Sequence, residues 1–119
     1  PHNPATIDAA GLVEAWERGE FPTQCIVEGP IAMDVALNRE SALHKGIESR
    51  VSRDADIFHM PIMEVGNVAH KGLLHVLKGS QVAGLILGAA APVVMTSRSE
   101  PPSAKLYATA LGCLAARNA

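Results

Sequence analysis

Aromatic residues are almost missing from this chain. Only Trp16, Phe21, Phe58 and Tyr107 occur among 119 residues. A core must therefore be built from Ala, Val, Leu and Ile, and no stacking platform for bases is available. The ten basic residues are scattered and the formal net charge is -2, which excludes a nucleic-acid-binding patch. No apolar run reaches the length of a membrane span, and the start does not read as a signal peptide. Two cysteines, Cys25 and Cys113, stand far apart in apolar surroundings without a CxxC pair. They are expected to be reduced, buried thiols in a cytoplasmic protein. The five histidines lack ligand spacing and no HExxH occurs, so no metal is expected. His59 lies in an apolar run and is expected to be a hydrogen-bonded core residue. His70 and His75, five apart, are expected on different faces of a helix. Glycine-rich phosphate loops are also absent, since "GLILGAAAP" has neither GxGxxG order nor a P-loop lysine.

What remains is a folded, globular composition, 48% hydrophobic and 18% charged, at a length that suits one domain. The chain does not open on Met, and "PHNPAT" runs almost directly into a helix signal. The first structured element is therefore expected to lie inside a longer parent protein.

The first helix is predicted over residues 6–18, with Thr6 as cap, Gly19 as stop, and Ala9, Leu12, Val13 and Trp16 on one stripe. After a turn at Phe21-Pro22-Thr23, "QCIVE" reads as a short buried strand and "GPIAMD" as a loop. Asn38 is the expected N-cap of a short helix ending near Lys45-Gly46. "ADIFHMPIM" is predicted as a strand that ends near Met60, because Pro61 cannot donate to a ladder. A helix follows over residues 66–78, with Val65, Val68, Ala69, Leu73, Val76 and Leu77 on one face. "QVAGLIL" and "PVVMT" read as strands. The link between them is too short for a helical crossover, which leaves an antiparallel pairing or separate sheets. The last helix is predicted over residues 103–116, with Tyr107, Ala110, Leu111 and Leu114 buried. Apolar strands alternating with amphipathic helices indicate an α/β fold with a largely parallel sheet flanked by helices.

Ligands in open α/β folds collect where strands end and helices begin. One such junction runs from Glu28-Gly29-Pro30 to Asp34, a lone acid of the kind that usually caps or turns. A second is Glu64-Val65-Gly66-Asn67, where Gly66 would allow close approach and either polar residue would cap a helix. The third, Thr96-Ser97-Arg98-Ser99-Glu100, is the richest. An arginine fork matches phosphate or carboxylate oxygens, hydroxyls add donors, and a following helix N-terminus favours an anion. Glu100 would accept a proton or hold Arg98. On the bland alternative, Thr96, Ser97 and Ser103 merely cap the last helix while Arg98 pairs with Glu100.

Taken in order, the pattern GP-apolar-A-apolar-D at Gly29–Asp34, the E-x-G-N at Glu64–Asn67 and "TSR…SAKLY" from Thr96 to Tyr107 resemble the phosphate acetyltransferase and phosphate butyryltransferase family, the butyryltransferase branch more closely. The resemblance runs through nearly the whole chain. Enzymes of that family are well over twice as long and usually dimeric, with two α/β domains around a cleft and an isocitrate/isopropylmalate dehydrogenase-like fold. The resemblance implies that residues 1–119 are a C-terminal portion lacking the N-terminal domain. It implies the reaction acyl-CoA + phosphate = acyl phosphate + CoA, with coenzyme A as a substrate and no bound cofactor or metal. By the same resemblance Ser97 would hydrogen-bond the carbonyl oxygen and Arg98 would hold the phosphoryl group. Thr96, Glu64, Gly66, Asn67 and Asp34 would line the substrate. The acetyltransferase branch carries an aspartate seven residues after its serine, as base for the CoA thiol. Here that position is Ala104, and Glu100 is the nearest substitute.

The implied protein is a cytoplasmic homodimer, inactive as this portion alone, that binds neither nucleic acid nor membrane. Two other readings stand beside it. One is a non-catalytic oligomerising or ligand-binding module with the same fold, favoured by Pro101-Pro102 and the missing aspartate. The other is an acyl-phosphate-forming enzyme acting on acyl carrier protein, or an oxidoreductase of the broader fold, the latter opposed by the lack of a dinucleotide motif.

Overall fold

A computed structural model describes residues 3–117. In chain order the elements are α1 (Pro4–Glu17), α2 (Met33–Leu37), α3 (Arg39–His44), α4 (Met63–Val76), β1 (Leu85–Ile86), β2 (Val93–Val94) and α5 (Pro102–Arg117). The chain divides into two compact units, one up to Gly66 and one from Asn67 onward, where its length alone suggested a single domain.

In the first unit, helix ends are set by asparagine and glycine. The Asn3 side chain accepts from the Ala5 N–H at 3.1 Å and Pro4 follows it, so α1 begins two residues before the predicted Thr6. Gly19, at φ 73°, closes it as expected. The stripe Ala9, Leu12, Val13 and Trp16 is half-buried, and the Trp16 indole N–H donates to the Cys25 carbonyl at 2.7 Å. Asn38 caps α3 by accepting from the Glu40 N–H at 2.9 Å.

The short helix α2 replaces part of the expected loop. Its Val35 and Ala36, with Ala42 of α3, are the buried apolar side chains of this unit. A five-residue helix leaves most of its carbonyls without an internal partner. Two of them are satisfied from residues 52 and 53: the Ser52 hydroxyl donates to the Val35 carbonyl at 2.6 Å, and the Arg53 N–H to the Ala36 carbonyl at 2.8 Å. Glu28 holds that loop in turn, accepting from the Ser49 hydroxyl and the Arg50 N–H, each at 2.6 Å.

The second unit is a helix on a two-stranded ribbon. β1 and β2 pair antiparallel, Leu85 with Val94 and Ile86 with Val93, one of the two arrangements their short link permits. α5 packs on both strands through Ala104, Ala108 and Gly112, one turn apart. The predicted buried face was wrong: Tyr107 and Leu111 are each 39% exposed and Leu114 is 55% exposed. Small residues face the ribbon because the approach is tight. A Cβ on Gly112 would stand 2.5 Å from Val94 Cγ2, and one on Gly84 would overlap the Met95 carbonyl oxygen.

Other expectations give way. Among the described residues "QCIVE" and "ADIFHMPIM" find no ladder partner, so no parallel pair forms and only the α/β character is seen. A strand exists only by its neighbour's hydrogen bonds. The apolar face assigned to α4 is largely exposed, with Val68 at 74% and Val76 at 78%. Cys25, Cys113 and His59 are exposed rather than buried, for lack of a covering layer over their segments.

Two glycines in the second unit should respond oppositely to a side chain. Gly72 in α4 has open space around it, so Gly72→Ala should raise stability by about 1 kcal/mol through helix propensity. Gly112→Val should lower it by about 1–3 kcal/mol through overpacking. Urea midpoints of the two variants check both signs.

Candidate functional site

Strand β2 ends at Val94, and the chain turns at once into α5. The turn is closed from both sides. The Glu100 N–H donates to the Ser97 carbonyl at 3.2 Å, and the Ser97 N–H donates to Glu100 Oε2 at 3.1 Å. The hydroxyls of Ser97 and Ser99 lie 3.1 Å apart. Thr96, Ser97 and Glu100 are half-buried, while Arg98 stands exposed in the middle of the turn. The capping alternative does not describe this arrangement. α5 starts at Pro102, and the Ala104 N–H is taken by the Pro101 carbonyl at 3.0 Å. Arg98 makes no ion pair with Glu100 among the described residues.

Beside the turn lies a cleft of about 260 Å³ within the second unit. Ser97, Ser99 and Glu100 line it together with Ser103, Ala104 and Tyr107 of α5. His70, Lys71, Leu74 and His75 of α4 and the segment Ser80–Val82 complete the lining. Thr96 and Arg98 are not among the lining residues. Ala104, the position of the expected aspartate, presents only a methyl group there.

Sequence reasoning passed over the α4 wall. It put His70 and His75 on different faces, yet both line the cleft. Five residues separate them by about 140° around the helix, and side chains of this length reach one groove from both flanks. Lys71 carried a legible signal, since it lies four residues after Asn67 and so on the same side of α4.

The other sequence candidates lie elsewhere along the chain. Glu64, Gly66 and Asn67 sit within the first five residues of α4, which starts three residues before its predicted beginning, so Glu64 is helical as well as the expected Gly66 and Asn67. A Cβ on Gly66 would rest 3.5 Å from the Met60 Cβ, an ordinary contact, so packing does not require glycine there. Asp34 is in the first turn of α2 and exposed, with its Oδ2 2.6 Å from the Lys45 ammonium. Asp34, Glu64 and Gly66 belong to the first unit; Asn67 and the Thr96–Glu100 turn belong to the second. Among the described residues no three His, Cys, Asp or Glu side chains gather as a metal cluster.

The fold and the cleft define a class: an α/β protein with a cleft at a strand-to-helix junction whose lining combines serines and a lysine with apolar side chains. Comparison with known proteins makes it particular, because the family model described as phosphate acetyl/butaryl transferase matches residues 3–113 and the chain belongs to that family. It is 43% identical over 118 residues to a phosphate butyryltransferase of Clostridium acetobutylicum, covering 99% of this chain and 38% of the relative. It is also 40% identical over 114 residues to a phosphate acetyltransferase of Thermotoga maritima, covering 96% of this chain and 38% of the relative. The chain thus spans well under half the length of the relatives it matches. No helix of the described residues is long and apolar enough to cross a membrane.

The Lys45 hydrogen bond holds the Asp34 carboxyl below its ordinary value of 3.8. A lowered folded-state pKa gives stability that is present above that value and lost as pH falls through the folded one. The pair is exposed and its contribution small. The Tm gap between wild type and Asp34→Asn should therefore be modest at neutral pH and shrink as pH falls below the ordinary carboxylate value. High salt should also shrink it. Thermal melts across pH check this.

Proposed function

We propose that residues 1–119 are the C-terminal portion of an enzyme catalysing acyl-CoA + phosphate = acyl phosphate + CoA, the acyl group being acetyl or butyryl. The observation that carries the reading is a family match through residues 3–113 that includes Ser97 in the lining of the cleft. A phosphate oxygen attacks the thioester carbonyl carbon, the C–O bond forms, and the C–S bond breaks. The proton of hydrogen phosphate ends on the CoA sulfur, so atoms and charge balance without metal or bound cofactor.

In this reading the Ser97 hydroxyl donates to the carbonyl oxygen as charge develops there. Arg98, exposed and unpaired among the described residues, grips the phosphoryl group in the transition state. Thr96, half-buried at the start of the same turn, is assigned to substrate binding. Glu100 is a positioning residue, since its carboxylate fixes the Ser97 N–H. Asp34, Glu64, Gly66 and Asn67 contribute to substrate binding once the remaining part of the enzyme completes the cleft. That part also supplies strand neighbours for residues 24–28 and 55–63 in a parallel, isopropylmalate dehydrogenase-like sheet. Homodimeric assembly and a cytoplasmic setting belong to the same proposal.

The decisive assay is thiol release from acetyl-CoA and butyryl-CoA, with and without phosphate. The complete protein should show phosphate-dependent release and this chain alone none. Silence from a folded complete protein would sink the enzyme reading, and acyl transfer confined to acyl carrier protein would reassign it. In the complete protein Arg98→Gln should lower kcat by about 10²–10³-fold with the fold intact by circular dichroism. Glu100→Gln keeps an acceptor for the Ser97 N–H and should retain most of kcat, whereas Glu100→Ala should not. Loss of kcat in Glu100→Gln as severe as in Glu100→Ala would instead make the carboxylate the proton acceptor.

A further inference from the structure

Within the function proposed above, we infer that Lys71, on the α4 wall of the cleft, holds the free phosphate substrate. The sequence pointed to Arg98 as the cation of the anion site. Yet Arg98 is not among the residues lining the cleft, and Lys71 is. Lys71 has no ion-pair partner among the described residues. Ser97, Ser99 and Ser103 line the same cleft; one hydroxyl of the Ser97–Ser99 pair is spent on the other, which leaves two hydroxyl donors suited to phosphate oxygens. Glu100 is the one carboxylate among the lining residues, and its Oε2 is already bonded to the Ser97 N–H. Cationic and hydroxyl donors therefore outnumber free acceptors, which favours an anionic occupant.

A cleft of about 260 Å³ lies below the range of about 300–1,000 Å³ typical of drug-sized ligands. Inorganic phosphate fits that volume. Phosphate chemistry still has two sources, the free anion and the phosphate groups of coenzyme A. Lys71 is assigned to the free anion because the Ser97 hydroxyl, which meets the acyl carbonyl, lines the same small space. The two cations then divide the work. Lys71 retains phosphate in the ground state, and Arg98, exposed between the lining residues Ser97 and Ser99, turns inward to grip the phosphoryl group in the transition state.

The division is tested by steady-state kinetics of the complete protein, varying phosphate and acyl-CoA separately. Lys71→Gln should raise the KM for phosphate roughly tenfold or more, the loss of a hydrogen bond to a charged group, with the KM for acyl-CoA unchanged. Lys71→Arg should recover part of it. A second measurement needs no variant: inorganic phosphate, and not CoA, should protect Lys71 of the wild-type protein from reductive methylation read by mass spectrometry. An unchanged KM for phosphate, or a rise confined to acyl-CoA, overturns the assignment while the acyltransferase reading stands. So does methylation of Lys71 unaffected by phosphate. A wild-type protein without phosphate-dependent thiol release brings down both.

Discussion

Close approach of α5 to the β1–β2 ribbon is the constraint on which the second unit depends. Three small residues on one helical face, Ala104, Ala108 and Gly112, let the helix backbone settle onto Leu85 and Val94. That contact fixes where β2 ends relative to where α5 begins, and the turn between them has little freedom left. The cleft inherits its floor from this packing, because Ala104 belongs both to the buried face and to the cleft lining. A carboxylate at Ala104 would enter a wall that is 2% exposed, so a side chain there must aim along the cleft or push the helix away.

The turn itself shows how a short polar run becomes a rigid presentation. Ser97 and Glu100 each give the other a backbone donor, so the four residues close on themselves before the helix starts. Arg98 is carried outward as a consequence. In the first unit Glu28 plays a comparable part over a longer range, bonding to residues 49 and 50 and so delivering Ser52 and Arg53 to the carbonyls of α2.

Local signals were legible in the sequence wherever backbone chemistry decides. Asn38 before α3 and Gly19 after α1 are written in single residues with one physical role, whereas Glu100, expected to hold Arg98 or take a proton, bonds the Ser97 N–H instead. The ordered motifs also brought the family within reach before any coordinates. Features set by distant partners were not legible. Apolar pattern cannot tell a face that meets a neighbour from one that meets water, so α4 and Tyr107, Leu111 and Leu114 were assigned to a core they do not enter. Strands at residues 24–28 and 55–63 failed for the same reason, since a ladder is a property of two chains of atoms and not of one. Lys71 escaped notice because attention followed strand ends, whereas it projects from mid-helix.

The two exposed thiols carry a practical consequence. Cys25 lies in the first unit and Cys113 in the second, both open to solvent and neither in a disulfide. A disulfide forms when a thiolate of one molecule meets an oxidised sulfur of another, and access governs the rate. Two accessible sulfurs per chain allow air oxidation to link copies into ladders rather than pairs. The same exposure lets a maleimide dye label the chain twice, once on either side of the boundary at Gly66, and replacing one cysteine would confine the reporter to a single unit.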